Sequence, residues 1–327
     1  MKKLVVIAFS IFLLGSCKKE KDLANLNIDP KHPATVPSYT LFTQAQLNLS
    51  NTVTSSNVNL NIFRLIEQYW TETTYTDESN YDLGTRAIPD GWWNAFYRDV
   101  LNNFEQSKNF AKTDVTDADI QKNDLALIDI QEVYAFYYLV NTYGNIPYSQ
   151  ALSIDNPFPK YDDAATIYSD LLTRLDADIA ALNTSAESFG GADIVYNGDV
   201  SKWKKFANSL KLKMGILIAD ADPAKAKTAV EAAAPNVFTS NDDNAVFTYL
   251  ASPPNTNPIW VDLVQSGRQD FVAANTIVNM MSAMNDPRIP AYFTTDASGS
   301  GYSGGVPGKG NSFPAFSKPG SSITSPD

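Results

Sequence analysis

Side chains of one character return every third or fourth residue through most of this chain, a period that suits helices and little else. Asn59, Ile62, Phe63, Ile66, Tyr69 and Trp70 fall on one side of such a helix. Trp93, Phe96, Tyr97, Val100, Leu101 and Phe104 repeat the pattern, as do Ala164, Ile167, Tyr168, Leu171, Leu172, Leu175, Ile179 and Leu182. Trp203, Phe206, Ala207, Leu210, Met214, Leu217 and Ile218 do so again. Each set gathers into one stripe that can be buried against a neighbour. Leu125 to Tyr143 is apolar nearly all round in its second half, which predicts a central helix covered on every side. Its end is marked by Gly144, with Pro147 just beyond. Asp162-Asp163 places acid at the positive end of a helix, and Asp222-Pro223 is a cap followed by proline at the first helical position.

Strand signals are few, and Ala245 to Leu250 is the best of them. Helices joined by short turns suggest tetratricopeptide-like pairs, although no clean 34-residue repeat emerges, so the expectation is a degenerate helical array. From about Asp296 onward the chain is rich in Gly, Ser and Pro and offers no further core element. That stretch is expected to be a loose loop, or the sequence a fragment of something longer.

Composition removes several classes of function. With 327 residues, 44% of them hydrophobic, the chain can bury one large core or two smaller ones. The net charge is −11, and Lys and Arg form no basic stripe. Nucleic acid is therefore not an expected partner, because its binding needs clustered cations. One Cys and one His exclude an internal disulfide and remove most of the parts for zinc sites and Ser-His-Asp or Cys-His catalysis. The single histidine, His32, sits in Lys31-His32-Pro33 and reads as an exposed loop residue. Acidic loops exist, but none has the regular oxygen spacing of a calcium loop, and no cofactor is implied.

The first residues read as an address. Met1-Lys2-Lys3 is a basic n-region, and Leu4 to Leu14 is an apolar run broken only by Ser10. The run is shorter than the roughly 20 residues that span a bilayer, so a secretory signal is the better reading. It ends in Leu14-Gly15-Ser16-Cys17, which resembles a bacterial lipobox, and the chain's only cysteine stands where lipidation requires one. Several acyl chains on that cysteine would give a stable anchor. The organisation expected is a signal peptide over 1–16, a lipidated Cys17 and tether over 17–37, and a helical domain over 38–327. Lys18-Lys19-Glu20-Lys21-Asp22 also resembles the short charged signals that send lipoproteins to the outer face of the outer membrane.

Four segments together resemble the SusD/RagB family, in its SusD-like branch. They are Asn27-Ile28-Asp29-Pro30; Ala126 to Ala151, with its Tyr143-Gly144-Asn145-Ile146-Pro147-Tyr148 turn; Tyr196 to Ala219, carrying Gly198-Asp199, Trp203 and Lys205-Phe206-Ala207-Asn208-Ser209-Leu210; and Asn285 to Pro290. The resemblance implies a mostly α fold, a tetratricopeptide-like helical array with a loop-rich part that carries the ligand site. It also implies a surface lipoprotein that sits on a SusC-like TonB-dependent β-barrel transporter, captures glycans or other nutrients and passes them inward without catalysis. Family members usually run on past this point and close with further helices.

A sugar site needs aromatic faces for the C–H face of the ring, and amides, acids or guanidinium groups for its hydroxyls. Aromatics off the helical stripes are the candidates. Trp70, Tyr75 and Tyr81 are interleaved with Glu72, Asp77, Glu78 and Asn80. Pro253 to Trp260 reads as a loop ending in Trp260, with Asp262, Gln265 and Arg268 just after it. Trp92 is a third candidate, because its neighbour Trp93 takes the core-facing slot of the stripe. Trp70, Tyr75, Tyr81 and Trp260 are expected to converge on one face away from the core. The competing reading packs these aromatics against their own domain. Trp203 and Phe206 are read as core, Asn208 and Ser209 as groups that satisfy backbone or loop groups, and Asp286-Pro287-Arg288 as a capping or ion-pair knot at a helix end.

Two other functions stay open at this level. A surface glycoside hydrolase needs only two carboxylates about 5 to 10 Å apart, and the chain has 36 acids. A scaffold of tetratricopeptide helices would hold another protein and no small ligand.

Overall fold

The computed structural model describes residues 36–327. The expected signal peptide, Cys17, most of the tether, His32 and the Asn27–Pro30 motif lie outside the described residues. Helix α1 spans Ser38–Thr54, and the short α2 spans Phe63–Ile66. Helix α3, Ile88–Asn94, runs through a π-helical stretch, Ala95–Leu101, into α4, Asn102–Asp114. Then come α5, Ala118–Tyr143, α6, Ala164–Ala181, α7, Val200–Leu217, and α8, Pro223–Ala233. Each packs on the next: α4 on α5, α5 on α6, α6 on α7 and α7 on α8, while α1 lies on α4. This neighbour-to-neighbour packing is the signature of a helical repeat array.

The caps follow the sequence. The Asp117 carboxylate accepts from the N–H groups of Asp119 and Ile120 at 3.0 and 3.1 Å, opening α5. Asp163 accepts from Thr166 at 2.9 Å and Asp222 from Lys225 at 3.0 Å. Each satisfies a backbone donor that the helix itself cannot. Helix α5 ends at Gly144 with φ 75°, a left-handed conformation that costs glycine little. Leu127, Ile128, Ile130, Val133, Ala135 and Leu139 of α5 are fully buried, so it is the central helix that the sequence predicts. Asn208 donates to Lys204 O at 2.8 Å, and the Ser209 hydroxyl accepts from Phe238 N at 2.9 Å.

One cluster of four charged side chains lies between α4, α5 and α6, within the apolar packing. Lys108 of α4 pairs with Asp129 of α5 at 2.7 Å and also with Glu132. Arg174 of α6 clasps Asp129 with Nε and Nη2 at 2.9 and 2.8 Å and reaches Glu132 at 2.9 Å. Elsewhere on α5, Asp124 is buried and its Oδ1 has no partner. Burial, and then the charge of Asp114, push its pKa up to about 7. The folded value lies above the unfolded one of about 3.9. Its contribution to stability is therefore present below pH 4 and lost as pH rises through 7. We expect Asp124→Asn to be more stable than wild type by about 1–3 kcal/mol at pH 8 and equal to it at pH 3.5, read from urea midpoints at both values.

Beyond the array the chain turns loop-rich. Strands β1, Trp70–Glu72, and β4, Phe271–Ala273, pair antiparallel with Trp70 opposite Ala273 and Glu72 opposite Phe271. Between them in sequence lie β2, Ile146–Pro147, paired with β3, Tyr161–Asp162, and α9, Pro258–Trp260, which continues as a π-helical turn over Val261–Gln265. Helices α10, Asn275–Ala283, and α11, Ile289–Tyr292, follow. A second apolar core joins Leu65, Trp70, Ile259, Phe271, Val278, Met281 and Phe293.

Four expectations are corrected. The stripe from Asn59 to Trp70 is helical only over Phe63–Ile66. Asn57 and Asn61 accept from the N–H groups of Asn59 and Phe63, at 2.9 and 3.3 Å, and so offer the backbone turns in place of a helix. Ala245–Leu250 forms no strand. It has no ladder partner, and Leu250 N turns back to Asn255 O at 2.7 Å. Trp260 closes a short helix rather than a loop. The Gly/Ser/Pro-rich stretch is packed, not loose. Ser317 is fully buried, and Gly304 approaches so closely that a Cβ there would lie 2.3 Å from Asn275 N.

Candidate functional site

The β1–β4 ladder brings the segment after Glu72 against the segment before Phe271. Thr73 N donates to Asp270 O at 2.9 Å, and the Thr73 hydroxyl donates to Gln269 O at 2.7 Å. Between them lies a cleft of about 270 Å³, whose lining includes Val58, Glu72, Tyr75, Arg86, Arg268 and Asp270. Tyr75 is 75% exposed. A tyrosine ring so placed is free for stacking, because the fold does not use its faces.

The charged rim is built from pairs. Arg268 Nε bonds Asp270 Oδ2 at 2.7 Å, with the Arg268 side chain well exposed. Arg86 pairs with the buried Glu78, and its Nε lies 3.9 Å from Asp77. Glu72 is buried and accepts from Ser79 N at 3.0 Å. Burial raises its pKa, while the bonds from Ser79 and the charge of Arg86 oppose the rise. Asn80 is a latch: its amide donates to Thr76 O at 2.8 Å and to Gly308 O at 2.9 Å, tying this loop to the Gly-rich stretch. Asn311 closes the same junction, donating from its amide to Glu72 O and from its backbone to Thr73 O, both at 2.8 Å.

The residues singled out from sequence are therefore divided. Tyr75 and Arg268 meet in the cleft, with Asp77 and Asn80 in the loop that frames it. Tyr81 is 55% exposed at φ 61°, and its hydroxyl accepts from Gln68 at 3.4 Å. Trp260 is half-buried and does not line the cleft. Trp70 is 4% exposed, against Phe271, so the four aromatics do not share one open face. Trp70 lines instead a separate cavity of about 470 Å³ with Tyr69, Met280 and Arg288. Trp92 also turns inward, with its ring 5.0 Å from Phe63 and 4.7 Å from Phe96. The π-helical stretch explains it. The buried positions run 92, 96, 100 and 104, a spacing of four, so Trp92 takes the core slot and Trp93 is displaced from it.

Sequence reasoning missed Arg86, Gln269 and Asp270 as rim residues. Gln269 and Asp270 directly follow Arg268 before the apolar Phe271-Val272, a polar run that could have marked them. Chemically the cleft offers one aromatic face, two guanidinium groups, an amide and carboxylates. That set suits a polyhydroxylated ligand, whose rings stack and whose hydroxyls both donate and accept.

A family model described as SusD-like, starch-binding and associating with the outer membrane, matches residues 30–326. Among solved structures, a chitin-binding protein is 25% identical, with a TM-score of 0.75 over 88% of this chain and 65% of its own. A SusD homolog from Bacteroides uniformis is 28% identical, with a TM-score of 0.71 over 88% of this chain and 62% of its own. A chitin-binding SusD homolog from Flavobacterium johnsoniae, at 24% identity, shares the fold with a TM-score of 0.72 over 88% and 61%. The chain thus spans less than two thirds of the length of these structures. No curated protein matches the sequence.

Proposed function

The chain belongs to the SusD-like family, and from that premise we propose that it is a cell-surface lipoprotein that captures glycans and delivers them to a SusC-like TonB-dependent β-barrel transporter. The observation that carries the reading is the cleft, where a three-quarters exposed Tyr75 stands with Arg268 and Arg86 at the end of the β1–β4 ladder. The role is capture, not catalysis. The domain plan is a signal peptide over 1–16, lipid attachment at Cys17, a tether to residue 37 and the binding domain over 38–327. It is supported by the lipobox and by the outer-membrane association in the family's description. Solved relatives described as chitin-binding put β-linked N-acetylglucosamine chains first among ligands to try, with starch-like glucans second.

The test is affinity gel electrophoresis of the full chain in mild detergent against a panel of polysaccharides. Retardation by one glycan class without release of reducing sugar is the expected result. Sugar release would favour a hydrolase. Failure to bind any glycan, with retained binding to a barrel partner, would favour a scaffold. Tyr75→Ala is expected to weaken binding about 2- to 10-fold, the worth of one aromatic contact. Its melting temperature should stay at the wild-type value, because the ring packs against little.

A further inference from the structure

Displacement of Trp93 from the core has a counterpart on the surface. Trp93 lines an open groove of about 1120 Å³ between α4 and the loop that joins β2 to β3. This groove shares no lining residue with the Tyr75 cleft. Its floor is aromatic. Trp93 and Tyr161 lie with ring centroids 6.1 Å apart and planes within 25°. Trp93 is held in place by the edge of Tyr143 at 5.1 Å and by Tyr97 at 4.7 Å. Tyr161 is 64% exposed although it sits in a strand opposite Pro147. Phe158, between Pro157 and Pro159, is 91% exposed on the same groove.

The facing wall is polar and equally ordered. Asn102, Glu105, Gln106 and Asn109 recur at helical spacing on one face of α4. Asn109 donates to Glu105 at 3.2 Å, and Asn103 is spent on Asp99 O. The amides of Asn102 and Gln106 are left unengaged among the described residues. The nearby cation Lys160 is paired with Asp162 at 3.0 Å. An anionic ligand would meet Glu105 and a chain of net charge −11, so the groove favours a neutral one.

We propose that this groove is a second carbohydrate subsite, which takes a neutral stretch of the same polysaccharide with rings on Tyr161 and Phe158 and hydroxyls on Asn102 and Gln106. It rests on the glycan-binding reading and extends it: a polymer that spans both sites gains avidity without any new contact in either.

The experiment compares the full chain in detergent on polysaccharide affinity gels with four variants: Tyr161→Ala, Phe158→Ala, Asn102→Ala/Gln106→Ala and Ile154→Ser. Ile154, 96% exposed on the same loop, is a control for a purely apolar contact. All these side chains are surface groups, and the two platform variants guard against one misfolding. The proposal expects each aromatic variant and the amide double variant to bind about 2- to 10-fold more weakly, with Ile154→Ser unchanged. Wild-type binding in all groove variants, alongside loss in Tyr75→Ala, would overturn the subsite and leave the glycan reading standing. Loss in Ile154→Ser and Phe158→Ala but not in the amide variant would overturn it in favour of a protein or lipid contact. Failure of the wild-type protein to bind any glycan would remove the glycan reading and the subsite with it.

Discussion

Trp70→Ala is expected to lose about 3–5 kcal/mol of folding stability, the usual cost of deleting a buried large aromatic. The ring is 4% exposed in β1 and lies 5.0 Å from the Arg64 guanidinium and 5.8 Å from Phe271. Arg64 has few alternatives. It donates to Thr54 O at 3.0 Å and to Ser55 O, and burial lowers its pKa to about 10. Truncating Trp70 therefore opens a cavity beside a desolvated cation and loosens the strand from which Thr73 to Tyr75 continue. Urea unfolding should show the loss, and Trp70→Phe should restore more than half of it. An unchanged unfolding midpoint for Trp70→Ala would show that the second core does not depend on this ring. The contrast with Tyr75→Ala separates the two roles, one residue supporting the cleft and the other lining it.

Arg174→Gln should cost a similar amount, about 3–5 kcal/mol, because it breaks a buried ion cluster on one side only. Asp129 would keep Lys108 but lose two bonds to the guanidinium, and Tyr148 would lose the Nη1 donor at 2.9 Å. The penalty should depend on pH. Bonds and charges from Arg174 and Lys108 outweigh burial and hold the Asp129 carboxyl well below its usual range. A depressed carboxylate contributes stability above its unfolded pKa of about 3.9, and that contribution is lost as pH falls. The gap between wild type and Arg174→Gln should thus be fully open above about pH 4 and narrow as pH falls below it. Asp178, which burial and the nearby Asp129 push up to about 9, works the other way. It favours folding at low pH, and its contribution erodes as pH rises toward 9. Denaturant midpoints from pH 3 to 9 would show both slopes. A gap independent of pH would place the value of Arg174 in packing alone.

The helical array was legible because its signals are local. Stripe, cap and stop for α6, from Asp163 to Leu175, lie within one element, and so do those for α5. The errors fall where structure depends on distant partners. Trp70 belongs to a strand because Ala273, some 200 positions on, pairs with it, and no helical period can announce that. Trp92 and Trp93 exchange roles because the stripe crosses a π-helical stretch, and periods of 3.6 assume an even helix. The Gly-rich stretch looked empty because its contacts are backbone ones, as Asn311 and Gly304 show. For the cleft, Tyr75 and Arg268 stood out as an aromatic and a cation off any stripe. Arg86 did not, since a lone arginine in a loop carries no pattern until Glu78 and Asp77 are seen around it.

On the proposed reading the Tyr75 cleft holds a sugar chain. Isothermal titration of the full chain with short chitin and starch oligosaccharides, wild type beside Tyr75→Ala/Arg268→Ala, tests it most directly. Saturable heat is expected with one class of oligosaccharide and should be lost in the double variant, with unfolding midpoints equal in the two proteins. Equal binding by both proteins would contradict it and move the site away from the cleft.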